Sequence, residues 1–509
     1  MKFRKLALLS VLLPALLLSG CAEEPPEAGM TEGIASSQEE TRQETPLPAA
    51  FSLPWDPDAT LDPITCPDGI QQTIGALLYE GLFELDESLE PQKRLCAAAE
   101  YDDAALVWTF QLRTDAVFSD GTALTAKDAV NTLRRAMDSD RYRARLSCVQ
   151  SVSGDGSTLR VTLNRPNAAL PALLDIPIVK AGTEQLAVPM GTGPYFLLQS
   201  EEERCLSASE NWWGGTQPIR RIELVDCSGS DAARYQFTSH TVQLITADLT
   251  GTAPLSAAGS FTVQDTDTTI LQYVGINFQN PLLQRPEVRR ALSLGIDREA
   301  VTGAYLSGHA LPAQFPLSPV SPLYPSELER NSSLTAFTDA MEKAGLNSGA
   351  ERSLTLLVNS ENSFKVSVAR YLAAALSVCD LKITVRVLPW EEYLAAIAQG
   401  DYDLFYGEVR LTADWDLTAL LGSGGTLNHG GYSDLLTDQL LADCLTAADR
   451  SAAVKTLCTR FRQQAPILPV CFKRTSVLTQ SGVAEGLTPT AANPFHGFTG
   501  CVIHLSENR

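Results

Sequence analysis

Apolar residues in the second half of the chain follow the periods of strands and helices in turn. Strand-like runs occur at 271–278, 353–359, 383–387 and 402–409. Phe364, Val368, Leu372 and Leu376 recur every four residues, which predicts a helix over 361–379. A shorter helix is predicted at 391–399, ended by Gly400. Strands alternating with helices indicate an α/β fold with a mostly parallel sheet covered by helices.

The first half shows similar local signals. Trp108, Phe110 and Leu112 alternate with polar residues, which predicts a half-buried strand. Thr125 stands three residues before Asp128, a spacing typical of a capping box, so a helix is predicted to begin there.

The N-terminal residues carry an export signal. A basic start precedes an apolar stretch from Leu6 to Leu18, which is shorter than the roughly 20 residues that a membrane span requires. Residues 1–20 are therefore predicted to be a signal peptide. The end of this segment, Leu18–Cys21, resembles the bacterial lipobox, and this implies that Cys21 receives a lipid. Residues 21–50 are rich in Glu, Pro, Ser and Thr, and they are predicted to form a disordered acidic tether.

Length and charge limit the classes of protein that fit. The chain has 509 residues, more than one ordinary core needs, so two or more lobes are expected. Hydrophobic residues make up 44% of it, which favours a folded protein. Its 39 basic against 60 acidic residues give a net charge of −21, and this argues against a nucleic-acid partner.

Eleven cysteines are present, of which ten remain after Cys21. Their spacing shows no short disulfide framework, and a chain of this size does not need one. We expect mostly free thiols, with several, such as Cys379, acting as small buried hydrophobic residues. A set of up to five disulfides is the alternative.

Several short motifs, in order along the chain, resemble those of the family 5 solute-binding proteins of ABC importers, the dipeptide- and oligopeptide-binding type. They are Leu61–Pro63, Leu78–Leu82, Phe118–Thr122, Leu124–Val130, Gly191–Tyr195, Asn211–Gly215, Val288–Leu292, Gly295–Glu299 and Gly400–Leu404.

The resemblance implies a two-lobe periplasmic-binding-protein (Venus-flytrap) clamp with hinge crossings near 270 and 478. Lobe I would comprise 51–270 plus 478–509, with an extra subdomain at about 70–180, and lobe II would comprise 271–477. It also implies a monomeric, lipid-anchored protein on the extracytoplasmic face of the cell membrane. Such a protein captures peptides or similar small solutes and delivers them to the transmembrane subunits of an ABC permease.

Candidate ligand residues follow the strand at 402–409, because ligands of parallel sheets bind beyond the carboxyl ends of strands. They are Glu408, Arg410, Asp414, Trp415 and Asp416. The resemblance implies that an acidic residue here, taken to be Asp414, holds the ammonium group of a peptide. Asp416 follows two positions later instead of three, and Leu417 replaces the family's Pro.

The other candidates in this segment have ordinary structural alternatives. Arg410 has the planar fork that suits a ligand carboxylate. Trp415 is either a stacking wall for the ligand or part of the core. Glu408 and Arg410 are alternatively ordinary surface charges.

Other functions receive less support from the sequence. It has none of the common hydrolase or nucleotide-binding motifs, and its five histidines show no metal-binding spacing, so neither catalysis, nor a cofactor, nor a metal site is predicted. A lipid-anchored sensor or surface-interaction protein with the same clamp is the main alternative. Capture of a metal complex is a further one.

Overall fold

The structure, a computed structural model, describes residues 47–200, 204–253 and 260–506. The predicted signal peptide, Cys21 and the tether up to residue 46 lie outside the described residues. No helix in the described ranges is long and apolar enough to cross a membrane.

The first part of the chain is mainly β-structure. Its elements are β1 (Ser52–Trp55), α1 (Ile70–Leu78), β2 (Phe83–Leu85), β3 (Pro91–Lys93), β4 (Cys96–Asp102), β5 (Val107–Leu112), α2 (Ala126–Asp138), β6 (Val149–Asp155), β7 (Thr158–Leu163), β8 (Tyr195–Gln199), β9 (Arg204–Ala208), β10 (Arg221–Asp226), α3 (Ser230–Thr238) and β11 (Leu244–Ala247). The predicted capping box at Thr125 is confirmed, since its backbone N–H donates to Asp128 Oδ2 at 2.9 Å. The predicted strand is also confirmed, with Trp108, Phe110 and Leu112 all buried.

The second part alternates strands and helices. Its elements are β12 (Phe261–Ile276), α4 (Pro286–Leu294), α5 (Arg298–Ala300), β13 (Ala310–Pro312), α6 (Leu334–Lys343), β14 (Arg352–Asn359), α7 (Ser363–Leu376), β15 (Leu381–Leu388), α8 (Trp390–Gln399), β16 (Leu404–Arg410), α9 (Thr418–Leu421), α10 (Leu435–Thr446), α11 (Arg450–Gln464), β17 (Leu468–Gln480), β18 (Ala484–Glu485) and β19 (Val502–Ile503). The predicted helices and strands of this part are confirmed, and Gly400 ends α8 in the left-handed conformation.

The prediction of a mostly parallel sheet is wrong. The large sheet has the order β11-β17-β12-β16-β14-β15, with β13 beside β17. The parallel pairs in it are β14 with β15 and β14 with β16, whereas β12 runs antiparallel to both β16 and β17. Helical crossovers make strands parallel, and no such crossover joins β12 directly to either of its neighbours, β16 and β17.

Strands β12 and β17 are the longest in the described ranges, and they contain the positions near 270 and 478 at which the two lobes are predicted to be joined. Their pairing shifts register between Asp267 and Leu271. Thr268 fills the gap, because its Oγ1 donates to the Lys473 carbonyl at 2.6 Å and accepts the Ile270 N–H at 3.0 Å. A bulge of this kind bends the ribbon between the lobes.

Separate apolar clusters lie on the two sides of this ribbon. One joins residues near β1, α1 and β8 to the C-terminal segment around Phe495, and another fills the sheet β4-β5-β7-β6 of the extra subdomain. Two more lie on opposite faces of the large sheet, one with α7 and one with α8 and α11. The exact lobe boundaries stay a prediction.

All ten cysteines in the described ranges are free thiols, as expected. Nine of them are buried. Cys379 is exposed, so its prediction as a buried hydrophobic residue is wrong. Helix α7 ends at Leu376, and Cys379 lies beyond it in a left-handed turn with φ of 54°.

Candidate functional site

Three of the sequence motifs meet at one buried carboxylate, Glu80. Its Oε1 accepts from Arg94 at 3.1 Å, and its Oε2 accepts from Thr192 Oγ1 at 3.1 Å and Trp213 Nε1 at 3.0 Å. Burial raises the pKa of Glu80, and the Arg94 charge and the Trp213 and Thr192 hydrogen bonds oppose the rise. These motifs therefore form a structural connection inside the first lobe.

The glycines of the Gly191–Tyr195 motif serve the same packing. A Cβ on Gly193 would lie 2.4 Å from the carbonyl carbon of Leu78, and one on Gly191 would lie 2.0 Å from its oxygen. Only glycine allows so close a backbone approach.

The predicted ligand segment begins at the carboxyl end of β16, next to the parallel strand β14. Glu408 lies on the same strand face as Tyr406, and the two are joined through one glutamine. Tyr406 donates to Gln272 Oε1 at 2.7 Å, while Gln272 Nε2 donates to Glu408 Oε2 at 2.9 Å. Glu408 is therefore held in a fixed orientation.

Two lysines contact Glu408. Lys365 Nζ is 3.2 Å and Lys473 Nζ 3.7 Å from Glu408 Oε2. Burial opposes ionisation of Glu408, but the two ammonium charges outweigh it and hold its pKa below the usual range. Lys473 is almost fully buried and also pairs with Asp248, which follows β11. The four groups connect the two predicted lobes beside the bulge.

Arg410 is exposed at the end of β16. Among the described residues, none forms a hydrogen bond or an ion pair with its guanidinium group. Arg410 is therefore available for an anion, whereas the charge of Glu408 is balanced by Lys365 and Lys473.

Asp414 is buried, with 2% of its surface exposed. Its Oδ2 accepts from Asn167 Nδ2 at 2.8 Å, and its Oδ1 accepts from Thr412 Oγ1 at 2.5 Å and the Asp416 N–H at 3.2 Å. Asn167 lies in the predicted extra subdomain and Asp414 in the predicted lobe II, so this contact joins the two predicted lobes. Its role as an amine anchor stays a prediction.

Asp416 also makes a contact across the lobes. Its Oδ2 accepts from Arg165 Nη1 at 2.6 Å, and its Oδ1 accepts the Thr418 N–H at 3.0 Å. Burial opposes ionisation, but the hydrogen bonds from Thr418 and the charge of Arg165 outweigh it and lower the pKa of Asp416.

Trp415 packs into the core of the second lobe, edge-on to Phe472 at 6.1 Å between ring centroids. Its φ of 55° is unusual for a large side chain and costs about 1–2 kcal/mol. Of its two predicted roles, the structure gives it the core position. Its stacking on a ligand stays a prediction.

Residues that the sequence did not single out complete the region. Arg165, Asn167, Asp248, Lys365 and Lys473 lie far from the ligand segment in sequence and carry no local motif. Only a three-dimensional arrangement brings them to it. No group of three or more potential metal ligands occurs among the described residues.

A polar cavity of about 400 Å³ lies near the amino ends of the parallel strands β14 and β16, at the other end of these strands from Arg410. It is lined by residues that include Asn277, Thr355 and Asp403, near the end of β12 and the starts of β14 and β16. It is thus remote from Arg410 and from the lobe contacts.

Comparisons with known proteins agree with this architecture. The sequence model of one protein family, the bacterial extracellular solute-binding proteins, family 5 Middle, matches residues 90–425. The chain is 24% identical to the glutathione-binding protein GsiB of Escherichia coli O6:K15:H31 (strain 536 / UPEC), in an alignment 448 positions long that covers 82% of this chain and 87% of that protein.

Two solved structures share the fold. The substrate-binding protein CtaP of Listeria monocytogenes is 19% identical, with a TM-score of 0.73 over 90% of this chain and 99% of that one. The oligopeptide-binding protein AppA of Bacillus subtilis, in complex with a nonapeptide, is 18% identical, with a TM-score of 0.61 and the same coverage.

Proposed function

The chain belongs to the family 5 bacterial extracellular solute-binding proteins, and on this premise we propose that it captures a peptide or a glutathione-like solute between its lobes for an ABC permease. The observation that carries the proposal is the match over 90–425, which spans the hinge strand β12 and the lobe II ligand segment. The names of GsiB and AppA supply the solute class. Family members of this kind bind and release without chemical conversion.

We propose Arg410 as the group that receives a carboxylate of the solute. It is exposed at the carboxyl edge of the parallel strands, where ligands of such sheets bind. Its planar fork matches a carboxylate with two parallel hydrogen bonds. Glu408 lies two residues before it on the same face, with the ammonium groups of Lys365 and Lys473 beside it.

The test of capture begins with native mass spectrometry of the purified protein, which detects any retained solute. Calorimetry with glutathione and with tripeptides then measures affinity. Arg410→Gln should lower the affinity for a carboxylate-bearing solute at least tenfold. Arg386→Gln should leave this affinity unchanged, because the guanidinium of Arg386 pairs with Asp401 at the other end of the strands. If both variants bind every solute with equal affinity, Arg410 is not part of the binding site.

We further propose that acylated Cys21 holds the protein on the extracytoplasmic face of the membrane, as a monomer. The lipobox-like segment Leu18–Cys21 supports this. Replacement of Cys21 by Ala should move the protein from the membrane to the soluble fraction. A variant that stays in the membrane fraction would contradict the anchor.

A further inference from the structure

The acidic pair of the second lobe, Asp414 and Asp416, already has partners from the first. Asn167 and Arg165 supply them, at 2.8 Å and 2.6 Å. The N–H of Ala168, the residue after Asn167, donates to the Leu445 carbonyl at 3.1 Å. One short loop, residues 165–168, therefore bonds the second lobe at three of its four positions, and we call it the clasp loop.

Asn167 is held in place for this contact. Trp108 Nε1 donates to its carbonyl at 3.0 Å, and its side-chain Oδ1 accepts the Ala169 N–H at 2.9 Å. The side chain is fully buried. Its amide group is thereby directed at Asp414, so the bond is preorganised by the extra subdomain.

The surrounding charges also disfavour a ligand cation at Asp414. The guanidinium groups of Arg145, Arg165 and Arg450 all interact electrostatically with its carboxylate. Arg450 also donates to the Asp414 backbone carbonyl. An arriving ammonium group would meet three cations and would have to displace Asn167.

Apolar contacts reinforce the clasp. Leu89, at the turn between β2 and β3, inserts into the core cluster of the second lobe that contains Trp415 and Phe472. Leu85 and Ala172 pack on Ala413. The contact is therefore an extended interface, which a single entering charge does not replace.

We propose that Asn167 and Arg165 determine the specificity of this clamp by occupying the acidic pair, so that the captured solute needs no free ammonium group. The inference rests on the proposed function, capture of a solute between the lobes. It assigns Asp414 and Asp416 to the contact with the clasp loop, and leaves Arg410 to recognise the solute.

The first experiment needs no ligand. Hydrogen exchange of the Ala168 amide reports the clasp directly, since its acceptor lies in the other lobe. Asn167→Asp keeps the acceptor for Ala169 but places a carboxylate against Asp414. We expect exchange at Ala168, corrected for the intrinsic rate, to become at least tenfold faster.

The matched control is Asn164→Asp, which makes the same chemical change three residues earlier. Asn164 contacts the Ser147 carbonyl within the subdomain, so exchange at Ala168 should stay unchanged. Equal exchange in Asn167→Asp and the native protein would overturn the occupancy of the acidic pair. If β5 amides also lose protection, the variant has unfolded, and Arg165→Gln decides the question by the same measurement.

The second experiment offers a pool of synthetic tripeptides, each in free and N-acetylated form, and counts the captured forms by native mass spectrometry. The native protein should capture both forms within threefold of each other. Asn167→Asp should prefer the free amine at least fivefold, because a carboxylate replaces the donor. A tenfold preference of the native protein for free amines would overturn the specificity. Capture of neither form would instead count against peptide capture, while the exchange result still decides the clasp.

Discussion

Replacing Glu80 by Ala tests whether three sequence motifs depend on one carboxylate. The change removes the acceptor of Arg94, Thr192 and Trp213 at 3.0–3.1 Å. Each buried neutral donor left without a partner costs about 1–3 kcal/mol. Arg94 loses less, because its side chain is 26% exposed and Glu84 lies 3.7 Å away.

The expected loss in the free energy of unfolding is therefore about 3–5 kcal/mol. Burial raises the pKa of Glu80, which shows that the ionised form pays a desolvation cost and favours the lower end of this range. Thr192→Val removes a single donor and should cost only about 1 kcal/mol.

The assay is guanidinium unfolding followed by tryptophan fluorescence, with Trp213 as a reporter beside the mutated site. Agreement with a second probe, far-UV circular dichroism, is required before a free energy is extracted. A loss below about 1 kcal/mol for Glu80→Ala would refute the reasoning, because the donors would then not depend on this carboxylate.

The sign of the pH dependence follows from the same contact. Because the pKa of Glu80 is raised in the folded protein, the part of the stability that is linked to its protonation is fully present below the pKa of the unfolded chain. It is lost as the pH rises through the folded-state pKa. Glu80→Gln should remove this slope, and an unchanged slope would contradict the assignment.

The remaining predictions concern four other positions. Leu89→Ala should cost about 2–3 kcal/mol in guanidinium unfolding, whereas Leu186→Ala, at an exposed site, should stay within about 0.5 kcal/mol. Because the pKa of Asp416 is lowered, its contribution to stability is present above the unfolded-state pKa and lost as the pH falls through the folded-state pKa. Asp416→Asn should abolish that acid dependence in urea unfolding. Of the ten thiols in the described ranges, Ellman titration should detect Cys379 in the native protein and the nine buried thiols only after denaturation.

Local signals in the sequence were sufficient for most elements of the fold. The four-residue spacing in α7, the Gly400 stop of α8 and the Thr125 capping box each depend on neighbours in the chain, and all are present. The direction of a strand within a sheet does not depend on its neighbours along the chain. It is set by the connections between strands, and the strand predicted at 271–278, which is part of β12, was therefore placed in the wrong kind of sheet.

The candidate site was predictable in position but less so in its contacts. Glu408, Arg410 and Asp414 occupy the carboxyl edge that the strand pattern indicated. Their partners could not be inferred, because Asn167 lies 247 residues from Asp414 and Lys473 carries no motif. Burial of a charge and the identity of its partner are properties of the folded chain.

Residues inside the motifs and residues outside them have different roles, and this explains why the sequence indicates the family but not the ligand. Glu80, Thr192 and Trp213 stand within the motifs and hold the first lobe together, so the resemblance reports the scaffold. Asn167 and Arg165 stand outside every quoted motif, yet they contact the segment that the resemblance assigns to the ligand. If they occupy the acidic pair, a relative with another residue at position 167 would keep the same fold and motifs and still bind the ammonium group of its solute. Specificity would then change through one loop of the predicted extra subdomain, without any change in the second lobe.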